Sequence, residues 1–258
     1  MDLEWYHYVI AIVGSAIAGG INTLAGNGSA ITLTILTELI GLPGNVANGT
    51  NRVGIWTQSV AGTYAFYKNG KLNIKESWLY IVLTVIGAIA GILTAVWVSN
   101  EQFLSVFKVL LIVMFVVILV KPKRWLRETD TSKKPSLWLA IPLFLGVGFY
   151  GGFIQMGMGI VFLAIMVLVA RYSLIDGNAV KIVVVAIYTL LAIAIFQYKG
   201  LIDWKIGLIM AVGQTFGGYY TAVFAARYEH ANVWAHRVLV VVVILALVKM
   251  LNLHLLFS

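Results

Sequence analysis

The chain has 258 residues, 61% of them hydrophobic and only 11% charged, with a net charge of +8. Soluble domains carry about a quarter charged residues, so this composition, with a mean hydropathy of +0.94, excludes an ordinary soluble domain and places the chain in a bilayer. Lysines and arginines lie in short loops between apolar runs rather than on one soluble face, which argues against nucleic acid. Cysteine is absent, so no disulfide or thiolate metal site can form.

Spanning about 30 Å of hydrocarbon takes about 20 apolar residues. Runs of this kind lie near residues 7–24, 46–66, 76–98, 102–120, 137–156, 177–198, 205–226 and 233–251, which predicts about eight transmembrane helices. The acidic start Met1-Asp2-Leu3-Glu4 does not resemble a signal peptide, so the first span is expected to be retained. After the first run, Gly26-Asn27-Gly28 breaks the helical pattern, and Ser29 to Ile40 follows as a stretch of about 12 residues that would rise about 18 Å, half a bilayer. It ends at the turn cluster Gly41-Leu42-Pro43-Gly44. The polar segment 121–135 separates a first repeat, 1–120, from a second, 136–258. In the second, Gly157-Met158-Gly159 makes the break and Ile160 to Ala170 forms the short stretch before Arg171-Tyr172-Ser173. The expected architecture is an all-α integral membrane protein of two similar four-span halves, each with a re-entrant half-helix.

The halves repeat in register. Gly20, Gly26 and Gly28 recur 131 residues later as Gly151, Gly157 and Gly159, and Asn48, Phe66, Gly70, Lys75 and Gly87 recur after 130 as Asn178, Phe196, Gly200, Lys205 and Gly217. Matched interruptions in two related bundles are the pattern of a secondary transporter, with the substrate held where the halves meet. A lone glycine cluster would more simply mean close helix packing, but two copies at matched spacing favour a site. Broken backbone at that depth must be covered by protein or water, so both breaks are expected to line a cavity.

Helix ends that start at a glycine turn favour an anion. Gly26, Asn27, Gly28 and Ser29 at the first break, with Gln155, Gly157, Met158 and Gly159 at the second, are the expected floor of the site. Thr50, Asn51 and Arg52 at the start of the second span, and Lys181 at the equivalent place in the second half, would add polar and positive groups. Ionisable residues within a span are costly to bury and hence candidates for function; the competing reading is that Arg52 and Lys181 snorkel outward or pair with Glu38 and Asp176. Glu38 could instead carry a coupling proton, and Asp176 fits a helix-start residue. Trp56 and Gln58 could line the cavity, with packing the commoner role for such a Trp, while Trp78, Trp138, Trp204 and Trp234 suit the interfacial belt.

His7, His230, His236 and His254 lie near span ends without ligand spacing, and no phosphate-loop or nucleophile-elbow motif occurs; neither a metal, a cofactor nor an enzyme is expected. Lys68, Lys71, Lys75, Lys199, Lys205 and the cations of 121–135 would share one side, so the positive-inside rule predicts cytoplasmic termini and parallel repeats. Five crossings per half would instead give inverted repeats. The cell (inner) membrane is the expected location, and a homodimer is left open.

Gly26-Asn27-Gly28-Ser29, Pro43 and Ala47-Asn48-Gly49-Thr50-Asn51, then Tyr150-Gly151-Gly152-Phe153, Gly157-Met158-Gly159 and Asn178-Ala179-Val180-Lys181, resemble the two glycine clusters of the TauE/SafE family of membrane permeases over nearly the whole length. Asn27 and Ser29, with Gln155, Met156 and Met158, depart from the small residues common there. The resemblance implies a permease exporting or importing sulfite, organosulfonates or related organic anions. The alternatives are an anion channel, a transporter of another small solute, and a scaffold that transports nothing.

Overall fold

A computed structural model describes residues 3–72, 74–119 and 137–227. The segment 121–135, the run 233–251, and Trp234, Arg237, His230, His236 and His254 lie outside the described residues. Everything described is helix or loop: α1 (Trp5–Ala25), α2 (Ser29–Thr34) running on as a π-helical turn (Ile35–Leu39), α3 (Gly44–Lys68), α4 (Trp78–Ala95), α5 (Asn100–Leu119), α6 (Leu137–Phe153), α7 (Met158–Leu168), α8 (Leu174–Tyr198) and α9 (Trp204–Arg227). Among the described residues, three stretches, Trp5–Leu24, Trp78–Ala95 and Ile175–Tyr198, are long and apolar enough to cross a membrane. The outward faces, with Ile86, Leu93, Leu190, Leu208 and Phe216 exposed, suit a lipid solvent. The described residues form an all-helical bundle whose outer faces fit a bilayer.

Each glycine break reverses the chain. Gly26 ends α1 in the left-handed conformation (φ 72°), where glycine carries no Cβ penalty. Gly28 then lies against the Ala18 carbonyl and Asn22, while Ile35 reaches Gly14, so α2 runs back along α1. The second break does likewise: Gly151 contacts Met158 and Phe144 meets Phe162 with ring centroids 5.5 Å apart. The α1–α2 and α6–α7 units are helical hairpins.

The hairpins are held by glycine seams between the halves. A Cβ on Gly213 would lie 2.2 Å from the Ile12 carbonyl, one on Gly217 1.8 Å from that of Ala16 and one on Gly20 2.8 Å from Thr221 Oγ1, so α1 and α9 run parallel with backbones almost touching. On the other side Gly87 and Gly91 of α4 meet the Leu145 and Phe149 carbonyls of α6, again in parallel. Thus each sequence half packs its helices on the other half.

Helix directions correct the expectation of parallel repeats. Gly62 meets Ile182, whereas Gly49 meets Phe196 and the Leu201 carbonyl, so α3 and α8 run antiparallel although they are equivalent at the spacing of 130. Ser77 bonds Tyr172 at the start of α8 and Trp97 stacks under Lys199 at its end (4.0 Å), so α4 runs with α8. Thr50 and Asp203 pair at the starts of α3 and α9, and Gln58 meets Gly218 further along both. Equivalent helices therefore point in opposite directions, and the repeats are inverted. The physical reason is that a helix and its returning half-helix bring the chain back to the end it left.

The same geometry separates the loop cations. Lys68, Lys71, Lys75 and Arg171 sit at the end where α4 and α8 begin, while Lys199 and Lys205 sit at the opposite end, not beside them as expected.

Candidate functional site

The two breaks meet. The Gly159 N–H donates to the Gly26 carbonyl at 3.3 Å, and a Cβ on Gly26 would lie 2.3 Å from Gly159 Cα. The breaks expected to face one another across a cavity are instead in backbone contact at this point.

Below this contact each half supplies a basic side chain to the other half's hairpin. Arg52 of α3 is fully buried. Its Nη1 donates to the Gly151 carbonyl and Gln155 Oε1, both at 3.0 Å, and its Nη2 to the carbonyls of Gly152 (2.8 Å) and Phe153 (3.3 Å) and to Asn48 Oδ1 (3.2 Å). Lys181 of α8, 2% exposed, donates Nζ to the Asn22 and Thr23 carbonyls at 3.2 and 3.0 Å. The last carbonyls of a helix have no intrahelical donor and carry the negative end of its dipole. Both cations therefore cap a broken helix, and neither snorkels to an interface. Glu38, on the π-helical turn, is not among the partners of Arg52; its carboxylate accepts from Thr37 at 3.3 Å. Asp176 lies in the first turn of α8, where Ser173 is the N-cap and accepts from the Asp176 N–H at 3.1 Å.

A second pair of groups steadies each hairpin. Gln58 donates Nε2 to Thr23 Oγ1 (3.2 Å) and accepts from Asn22 Nδ2 (3.3 Å). At the position equivalent to Gln58, Tyr188 donates its hydroxyl to Gln155 Oε1. Gln155 holds a left-handed backbone (φ 68°), uncommon for a residue with a side chain; the two donors on its amide oxygen fix that conformation. Asn22, Thr23 and Tyr188 were not singled out from the sequence, although the 130-residue spacing links Gln58 to Tyr188.

The remaining candidates divide. Thr50 Oγ1 accepts from the Asp203 N–H at 2.9 Å, so it ties α3 to the start of α9. Met158 is wholly buried in the apolar cluster with Phe144, Phe162 and Tyr188. Asn27, Ser29 and Asn51, at most 1% exposed, have no partner on either amide atom or on the hydroxyl, and Arg52 Nε is likewise unpaired. Unpaired buried polar atoms cost roughly 1–3 kcal/mol each, and Asn27 and Ser29 carry theirs at the first helix break. Among the described residues, no group of three or more His, Cys, Asp or Glu could hold a metal.

An all-helical bundle with apolar outer faces, broken helices and a polar centre is the build of a polytopic membrane protein. The sequence matches the family described as Sulfite exporter TauE/SafE across residues 11–250, and the chain belongs to that family. It is similar to the probable membrane transporter protein ORF9 of a Sinorhizobium species, 27% identical over 90% of this chain and 86% of the relative. A probable membrane transporter protein of Haemophilus influenzae is 26% identical over 78% of each. No solved structure matches.

Proposed function

We propose that the protein is a secondary transporter of small organic or sulfur-containing anions, such as sulfite or sulfonates, working by alternating exposure of one site between the hairpin tips. One observation carries this reading: the buried polar residues among those described include Arg52 and Lys181 but no carboxylate. Removing charge from water is expensive unless it is compensated, and a pair of basic groups neutralised only by carbonyl dipoles leaves a centre that favours an anion. The direct contact of Gly26 with Gly159 supports a closed, alternating gate over a continuous pore.

In this reading each half contributes one hairpin and a set of crossings, and the hairpins enter from opposite faces. The end bearing Lys68, Lys71, Lys75 and Arg171, to which the basic segment 121–135 connects, faces the cytoplasm. The Trp5 end of α1 then lies on the other side, which replaces the expectation of cytoplasmic termini. The test is uptake of radiolabelled sulfite and ethanesulfonate into proteoliposomes. Saturable uptake suppressed by unlabelled anion supports the proposal; unsaturable flux would make the protein a channel, and no uptake of any anion would remove the reading.

A further inference from the structure

We propose that the anion carries a hydrogen-bond donor of its own, a hydroxyl or a protonated oxygen, and that Asn27 and Asn51 read it. This rests on the anion-transport reading above. Both amide atoms of each asparagine are buried and unpaired, as are Ser29 Oγ and Arg52 Nε. Arg52 Nε and the two Nδ2 groups are donors and match anionic oxygens. The two Oδ1 atoms can only accept. A fully deprotonated oxyanion offers acceptors alone and would leave both amide oxygens unsatisfied, and turning an amide over only exchanges the places of its oxygen and nitrogen. A ligand with negative oxygens at one end and an O–H at the other complements the set.

Two contacts set these groups around the same junction. Asn27 follows Gly26, which touches Gly159. Gln155, four residues earlier, is held by Arg52, the neighbour of Asn51. A four-residue segment reaches at most about 14 Å, so the first hairpin tip and the Asn51–Arg52 turn flank a single short stretch of chain. The second repeat has Met158, Ile160 and Lys181 where the first has Asn27, Ser29 and Asn51. The reading of the donor therefore belongs to the first half alone.

The test is calorimetric titration of the purified full chain in detergent with ethanesulfonate and 2-hydroxyethanesulfonate, which differ by one hydroxyl. The hydroxylated probe is expected to bind at least about 10-fold tighter, because a site built to pair a hydroxyl rejects the analogue lacking it. Asn27→Leu and Asn51→Leu are each expected to bring the ratio close to one, with unfolding temperature recorded to show that each variant is folded. Equal affinity for the two probes in the unaltered protein overturns the inference while leaving anion transport standing, and decides the matter even where a variant fails to fold. A ratio that survives both substitutions overturns it as well. Failure of both probes and of sulfite to bind overturns the inference together with the transport reading beneath it.

Discussion

Gly26 and Gly159 touch through their backbones: the N–H of one donates to the carbonyl of the other, and neither position has room for a methyl group. Two interruptions far apart in the sequence thus form a single junction. Gly159→Ala would force the hairpins apart, and overpacking of this kind costs about 1–3 kcal/mol. Gly26→Ala adds the left-handed backbone penalty of roughly 1–2 kcal/mol. Gly41→Ala is the control, since Gly41 has a φ of 78° with nothing within 4 Å of a Cβ and should lose only the conformational part. Unfolding temperatures in detergent should rank Gly26→Ala lowest, then Gly159→Ala.

Arg52→Lys tests the cap on α6. The guanidinium fork meets five acceptors at once, and a single ammonium cannot replace a planar fork. With hydrogen bonds to charged groups contributing about 1.5–3 kcal/mol, a loss of at least about 2 kcal/mol is expected. A stability unchanged within error would remove the capping role.

For Lys181 the expectation concerns transport. Lys181→Ala deletes the donor to the Asn22 and Thr23 carbonyls and one of the two buried Lys or Arg side chains among the described residues. Anion flux in proteoliposomes should disappear while the protein remains folded by circular dichroism. Flux equal to that of the unaltered protein would take Lys181 out of the site.

Helix directions can be checked chemically because the sequence contains no cysteine. Lys71→Cys and Lys199→Cys, placed in the loops at opposite ends of the bundle, should react with a membrane-impermeant maleimide from opposite faces of sealed vesicles. Labelling of both from one face would contradict inverted repeats.

Ser173→Ala removes the side-chain cap of α8 and should cost about 1 kcal/mol, seen as a lower unfolding temperature with transport specificity unaltered.

Much of the hairpin geometry was legible in the sequence because glycine is the residue that a reversing backbone demands, and duplication shows the demand twice. The short helices Ser29–Leu39 and Met158–Leu168 lie close to the stretches drawn from those glycines. Chain direction was not legible: counting apolar runs cannot show that α2 returns along α1, so the lysines after α3 and after α8 were placed together. Nor could the sequence show how Arg52 is used, since most of its acceptors are backbone carbonyls about 100 residues away, and every residue carries a carbonyl. Gln58 and Tyr188 do the same work with different chemistry, which conceals their equivalence from any comparison by residue type.

The glycine seams have a mechanical consequence. With α1 locked to α9 and α4 to α6 by carbonyls that leave no space for a Cβ, sliding within either pair would cost close packing along several turns. Each pair therefore holds together as one unit, and each unit combines a helix from both repeats. In the transport cycle proposed above, the moving bodies would therefore be not the two duplicated stretches of sequence but two mixed blocks that meet at the hairpin tips.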